Sequence, residues 1–207
     1  MTHEEKLLRD GLTALNLLTD DEKVAKLLAF IALIEKWNKA YNLTAIRRRD
    51  EMVNLHLLDS VAILPYLEGK RMIDVGTGAG LPSIPLAIFC PDIEFQLLDS
   101  NAKKTRFVQQ AILELKLPNV NVTHSRVEDF QPEYPFDTVL TRAFASLLEI
   151  VNLTQHLISE NGALLCMKGQ TPDDELAAVN GQTTLISINV PHIEAERCLV
   201  KITHLNN

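Results

Sequence analysis

The chain has 207 residues, a hydrophobic fraction of 46%, and 20 Lys and Arg against 27 Asp and Glu, for a formal net charge of −7. That size suits one large domain, or one domain with an extension, around a real core, and no apolar run in the N-terminal third approaches the length of a bilayer span. The acidic balance argues mildly against a polyanionic partner, and the scattered Cys90, Cys166 and Cys198 form no CxxC pair, which disfavours both a disulfide framework and a zinc site.

Taken in chain order, residues 4–17 read as a helix, with Leu7, Leu8, Leu12, Leu15 and Leu18 on one side. Thr19 or Asp20 is suited to cap a second helix, with acids in its first turn, and Val24, Leu27, Leu28, Ile31, Ile34 and Trp37 follow at helical spacing. Residues 38–49 are polar and are expected to form a loop that contains Arg47-Arg48-Arg49. A third helix is predicted from Asp50 or Glu51 to about Leu67. From Arg71 the pattern changes. Strands are predicted at 71–75, 94–98, 119–123, 136–141, 162–167, 183–190 and 197–204, and helices at 81–89, 102–116, 145–157 and 172–179. Short apolar strands alternating with helices imply a mostly parallel sheet covered on both faces. Only six residues, 191–196, separate the last two strands, too few for a helical crossover, so those two should pair antiparallel. The expected architecture is α/β and Rossmann-like: a mostly parallel seven-stranded sheet (residues 69–207) with an antiparallel C-terminal strand, preceded by a helical extension (residues 1–68). The N-terminal His3-Glu4-Glu5-Lys6 does not resemble a signal peptide, and a reducing cytoplasm suits the cysteines.

The first strand ends in Asp74-Val75-Gly76-Thr77-Gly78-Ala79-Gly80-Leu81, and the second ends in Asp99, 23 residues after Gly76. A strand, a glycine turn, a helix and a second strand tipped with an acid is how α/β sheets hold an adenine nucleoside: the glycines let the backbone approach and the acid accepts from ribose hydroxyls. A dinucleotide fold wants a third glycine on the first helical turn; Leu81 occupies that position, which moves the cofactor from nicotinamide toward S-adenosylmethionine. The plainer reading of Asp99 is a helix N-cap.

Other segments are more specific. They are Trp37-Asn38-Lys39-Ala40-Tyr41-Asn42-Leu43-Thr44, His56-Leu57-Leu58-Asp59-Ser60, Leu97-Leu98-Asp99-Ser100, Ser125-Arg126-Val127-Glu128, Thr141-Arg142-Ala143-Phe144-Ala145, Met167-Lys168-Gly169 and Glu196-Arg197-Cys198-Leu199-Val200. Their order and spacing resemble the glucose-inhibited division protein B family, the bacterial 16S ribosomal RNA guanine-N7 methyltransferases, over essentially the whole chain. The resemblance implies that Gly76, Gly78 and Leu81 lie near the methionine part of S-adenosylmethionine, that Asp99 holds the ribose, that Val127 and Glu128 contact adenine, and that Arg142 positions cofactor and incoming base. It also implies Asn38, Lys39, Asn42 and Thr44 as RNA or loop-ordering contacts. Three positions depart from the family pattern: Ser83 replaces a glycine, Thr141 a serine and Cys198 a histidine.

Guanine N7 has a free lone pair and no proton, so the implied chemistry needs no general base and no metal, only alignment. Arg126, Arg142 and Lys168, at three strand ends, are expected to converge in a cationic pocket for phosphate or guanine O6. His56 and Asp59, three apart on one helix, could bind RNA or order a loop, or merely pair on the helix surface. The implied partner is 16S ribosomal RNA in the 30S subunit or a precursor, without a membrane or an obligate protein partner. A small-molecule methyltransferase and a non-catalytic nucleotide-binding regulator remain the alternatives.

Overall fold

A computed structural model describes residues 1–142, 145–170 and 173–205. Helix α1 (His3–Ala14) is capped by the Thr2 hydroxyl, which accepts from Glu5 N, and α2 (Asp21–Tyr41) by Asp20, which accepts from Lys23 N. The latter runs four residues beyond Trp37, into the stretch expected to be a loop. Polar Asn38 and Lys39 are compatible with a helix, and the chain stops only where Asn42 adopts the left-handed conformation (φ 49°) and its amide donates to Asn38 O.

The predicted third helix is broken into pieces. Helix α3 (Arg49–Met52) passes into a π-helical turn (Val53–Leu58), then α4 (Asp59–Val61), and a 3₁₀ turn over Leu64–Tyr66 carries Pro65. Strands β1 (Arg71–Val75), β2 (Glu94–Asp99), β3 (Val120–His124), β4 (Phe136–Arg142), β5 (Ile158–Lys168), β6 (Gln182–Ser187) and β7 (Cys198–Thr203) form one sheet in the order β3-β2-β1-β4-β5-β7-β6. Strands β1 to β5 are parallel; β7 lies antiparallel between β5 and β6. The expected antiparallel ending is present, with the last strand inserted inside the edge strand.

Helices α5 (Ser83–Phe89), α6 (Ala102–Leu115), α7 (Leu147–Thr154) and α8 (Asp173–Leu176) complete the fold. The last is shorter than the helix expected at 172–179, and Pro172 lies outside the described residues, as do Ala143 and Phe144 of the segment after Arg142. The alternation of side chains along each strand divides the core. Met72, Leu97, Leu140, Leu165 and Leu199 point into one apolar cluster with α1, α2, α5, α6 and the π-helical turn. Ile73, Leu98, Val139, Leu164 and Val200 point into the other, with α7. From α2, Leu27, Phe30, Ile31 and Ile34 are fully buried, and each such side chain contributes about 1.5–3 kcal/mol by leaving water. Trp37 stacks edge-on against Tyr41 and Phe107, which makes it part of this packing rather than a stacking platform for a base. Among the described residues, no helix is long and apolar enough to cross a membrane.

Candidate active site

Strand order reverses between β1 and β4, whose following helices leave the sheet on opposite faces, and ligands of open α/β sheets bind outside the strand ends at such a point. Two cavities lie along this carboxyl edge, one over the ends of β1 to β3 and one over the ends of β4, β5 and β7.

The first, of about 380 Å³, is floored by Val75 and Gly76 and walled by Asp99, Arg126, Val127 and Glu128. The glycine turn is pinned to the end of β2. Both Gly76 N (2.9 Å) and Thr77 N (3.1 Å) donate to Leu98 O, and Gly78 N donates to Asp99 Oδ2 at 2.9 Å. Gly76, Gly78 and Gly80 all have positive φ (71°, 61° and 79°). At Gly80 there is a second constraint, since a Cβ would come within 2.6 Å of Ile84 Cγ1, so only glycine lets α5 approach. At Gly78 a Cβ would meet nothing nearer than 3.9 Å, so the turn faces open space.

Asp99 is not the cap of α6. Asn101 has that role, its Oδ1 accepting from Lys103 N at 2.9 Å. The Asp99 carboxylate instead accepts one amide on each oxygen, Gly78 N and Asn101 N, which holds it rigidly at the cavity wall while a second lone pair on each oxygen remains for a ligand hydroxyl. An open space before the glycine turn, a fixed carboxylate, and apolar Val127 beside Glu128 together fit the adenosine half of a nucleoside cofactor. Leu81 was expected at its methionine end; it is buried in the helical-side core and lines neither cavity.

Behind the turn, Asp74 is fully enclosed. Burial raises its carboxyl to about 7, against the opposing pull of the Thr77 hydroxyl (2.8 Å to Oδ2), Ser83 and the Arg142 charge. An unfolded Asp74 ionises near 3.8. Between these values the native state binds more protons than the unfolded chain, so this group's contribution to stability falls as pH rises from about 4 to 7. Asp74→Asn should therefore track the wild type near pH 4 and melt progressively higher than it as pH approaches 8. Thermal melts at both pH values check this; a constant difference between the two proteins would refute it.

The second cavity, of about 430 Å³, is mostly apolar (Ile46, Leu55, Ile63, Ile188), with His56, Asp59, Arg142, Lys168 and Arg197 at its polar wall. Arg142 Nη1 donates to Asp59 Oδ2 at 3.2 Å and to Leu55 O at 3.3 Å; Arg197 Nε donates to Asp59 Oδ1 at 3.1 Å. Burial, reinforced by the Arg142 charge, pushes His56 down to about 4, so this ring is neutral near pH 7. It is therefore no surface partner of Asp59; its Nε2 pairs with Thr44 Oγ1 at 3.1 Å.

The cationic grouping expected from the sequence needs correction. Arg126, Arg142 and Lys168 do not converge: Arg126 lines the first cavity, Arg142 and Lys168 the second. The Lys168 ammonium is also committed, to Ala145 O at 2.9 Å and to Glu175 at 3.3 Å, which braces the start of α7. Asn38 is buried, and its amide clasps both backbone groups of Thr44 (Nδ2 to O, 2.9 Å; N to Oδ1, 3.0 Å). It orders the loop and offers nothing to RNA; Thr44 is bonded to Ile46 N and His56, Asn42 is a helix terminus, and Lys39 is exposed. In the arginine run, Arg48 pairs with Asp50 and Arg49 with Glu35. Arg197 is the member that sequence reasoning did not place in the site, and for Asp59 it missed the two arginine partners. The signal was present in two of the segments quoted above, but the contact that joins them spans 138 residues of chain. Cys198 lines the same cavity and donates to Gln170 O.

Residues 23–201 match the family model for rRNA small subunit methyltransferase G. The chain is 51% identical to the Ribosomal RNA small subunit methyltransferase G of Nitrosococcus oceani, covering 96% of this chain and 94% of that protein. It is 47% identical to that of Legionella pneumophila (99% and 97%). Among solved structures it is similar to a SAM dependent methyltransferase from Aquifex aeolicus (TM-score 0.56, 16% identity, 73% of this chain and 92% of that one). A SAM-dependent O-methyltransferase from Thermotoga maritima is also similar (TM-score 0.56, 14% identity, 74% and 70%). These two carry the fold.

Proposed function

The chain belongs to the rRNA small subunit methyltransferase G family, and on that premise we propose that it transfers a methyl group from S-adenosylmethionine to N7 of a guanine in 16S ribosomal RNA, within the 30S subunit or a late precursor. The observation that carries the reading is the pair of cavities along the carboxyl edge on either side of the order reversal, one walled by the fixed Asp99 carboxylate and the other by Arg142 among apolar side chains. Residues 1–68 then serve as a helical extension docked on the transferase core of residues 69–207, and the Asn38–Thr44 clasp and the π-helical turn, both from the extension, shape the acceptor side.

S-adenosylmethionine supplies an electrophilic methyl group on a sulfonium. The residues of this chain bind and align. Asp99 accepts from the ribose hydroxyls, Val127 packs on the adenine and Glu128 lies at its edge, and the main chain at Gly76 and Gly78 lets the methionine portion approach. Arg142 donates to the incoming nucleotide, and Arg126 stands at the mouth of the cofactor cavity, where the RNA backbone would pass. Ile46, Leu55 and Ile188 exclude water. Because N7 carries no proton, no side chain has to act as a base, and the catalytic gain is positional, a term of roughly 7–11 kcal/mol for well-aligned reactants. The cytoplasm, where ribosomal subunits are made, is the corresponding location.

The test is to incubate the protein with labelled cofactor and, in parallel, naked 16S RNA, 30S subunits and a pool of small metabolites. Label is expected in RNA as 7-methylguanine, with 30S or its precursor the best acceptor. Label in metabolites alone would overturn the proposal in favour of a small-molecule enzyme, and cofactor binding without any transfer would favour a regulator.

A further inference from the structure

Asp59 follows the π-helical turn directly, and its side chain is only 8% exposed. Both of its oxygens are taken by arginines from distant parts of the chain. Oδ2 accepts from Arg142 at the end of β4, and Oδ1 from Arg197, immediately before β7. The π-helical turn is what allows this. Such turns are rare, and most occur as single widened turns at functional sites. Here Asp59 N bonds Asn54 O, five residues back, and the widened turn brings Leu55 O and the Asp59 carboxylate together on the same Arg142 nitrogen.

The charges do not cancel. One carboxylate faces two guanidiniums, and the neighbouring Lys168 is already matched by Glu175, so the cluster carries an excess positive charge in a mostly apolar cavity. Nor are the donors exhausted. A guanidinium has five N–H groups. Among the described residues, Arg142 uses only Nη1, and Arg197 uses Nε for Asp59 and Nη1 for Glu196 O. The carboxylate thus fixes one edge of each guanidinium and leaves other N–H groups for an acceptor atom of a ligand. A carboxylate whose two oxygens are both held by arginines is poorly placed to contact substrate itself, and well placed to decide where the arginines point.

We propose that Asp59 is a positioning residue for methyl transfer, holding Arg142 and Arg197 as a paired clamp in the second cavity and acting on the reaction through Arg142. The proposal rests on the methyltransferase reading above. A brace that served only folding would lower the melting temperature and leave the rate per folded molecule unchanged. A positioning residue lowers that rate at saturating substrate, and its effect disappears once the group it positions is gone.

The experiment measures single-turnover transfer from labelled S-adenosylmethionine to saturating 30S subunits, with S-adenosylhomocysteine affinity by calorimetry, for Asp59→Asn, Arg142→Ala and the double variant. Asp59→Asn should transfer at least about tenfold more slowly, with S-adenosylhomocysteine affinity within about twofold of wild type. The double variant should be no slower than Arg142→Ala by more than about twofold. Wild-type transfer by folded Asp59→Asn, or a double variant whose loss is the product of the single losses, would overturn the proposal. If Asp59→Asn does not fold, Asp59→Glu keeps the charge and moves the carboxylate by one methylene. It should then fold and transfer slowly, and a wild-type rate would overturn the proposal equally. A wild-type protein that transfers no label to 30S would overturn the methyltransferase reading and this proposal with it, an outcome distinct from an active wild type with an indifferent Asp59.

Discussion

Replacing Arg142 by alanine should cut methyl transfer by about 10²–10³-fold while leaving the protein folded. The magnitude is that of losing one preorganised donor aimed at the reacting group in a water-poor site. The fold should survive because Asp59 is not orphaned by the change: Arg197 Nε remains 3.1 Å from Oδ1. The cost to stability is then that of hydrogen bonds to a charged group, about 1.5–3 kcal/mol, rather than the larger penalty of a buried carboxylate without a partner. Cofactor affinity should be nearly unchanged, since Arg142 lines the other cavity. Single-turnover transfer, calorimetry with S-adenosylhomocysteine and a thermal melt on the same preparation separate these effects. Full activity in a folded variant would remove Arg142 from the reaction.

Asp99→Ala should act on the other half of the site. Two ribose hydroxyls donating to a carboxylate are charge-assisted bonds, and at about 1.5–2 kcal/mol each their loss weakens cofactor binding by about 10²–10³-fold. The substitution also removes the anchor of Gly78 N and Asn101 N, so the glycine turn loses its tie to β2. Asp99→Asn separates the contributions. It keeps one acceptor oxygen for a backbone amide and turns an NH₂ toward the other, so the turn is partly held while ribose recognition fails. Calorimetry with S-adenosylhomocysteine reads the result, and unchanged affinity in the alanine variant would exclude Asp99 as the ribose ligand.

The cavity over β1 to β3 is largely legible in the sequence, and the cavity over β4, β5 and β7 only in Arg142 and Lys168. Gly76, Gly78, Asp99, Val127 and Glu128 lie at or shortly after strand ends, so the strand pattern alone locates them. Leu81 was misplaced because a residue one position past the turn already belongs to the helix side of the core. The 37–44 segment was singled out with two roles open: a run of amides and hydroxyls looks the same whether it meets RNA or its own backbone, and only the burial of Asn38 against Thr44 selects loop ordering for that residue.

By itself the sequence determined the α/β architecture, the mostly parallel sheet with its antiparallel ending, the nucleoside turn and the family, because each rests on local periodicity, a short motif or the linear order of motifs. Only the tertiary structure decided that Arg142 and Arg197 share Asp59, that Arg126 lies apart from them, and that residues 53–58 form a π-helical turn. The reason is separation along the chain. Asp59 lies 83 residues from Arg142 and 138 from Arg197, and a carboxylate's choice of partner over such distances is set by where sheet and helices bring the chain back together, which no spacing records.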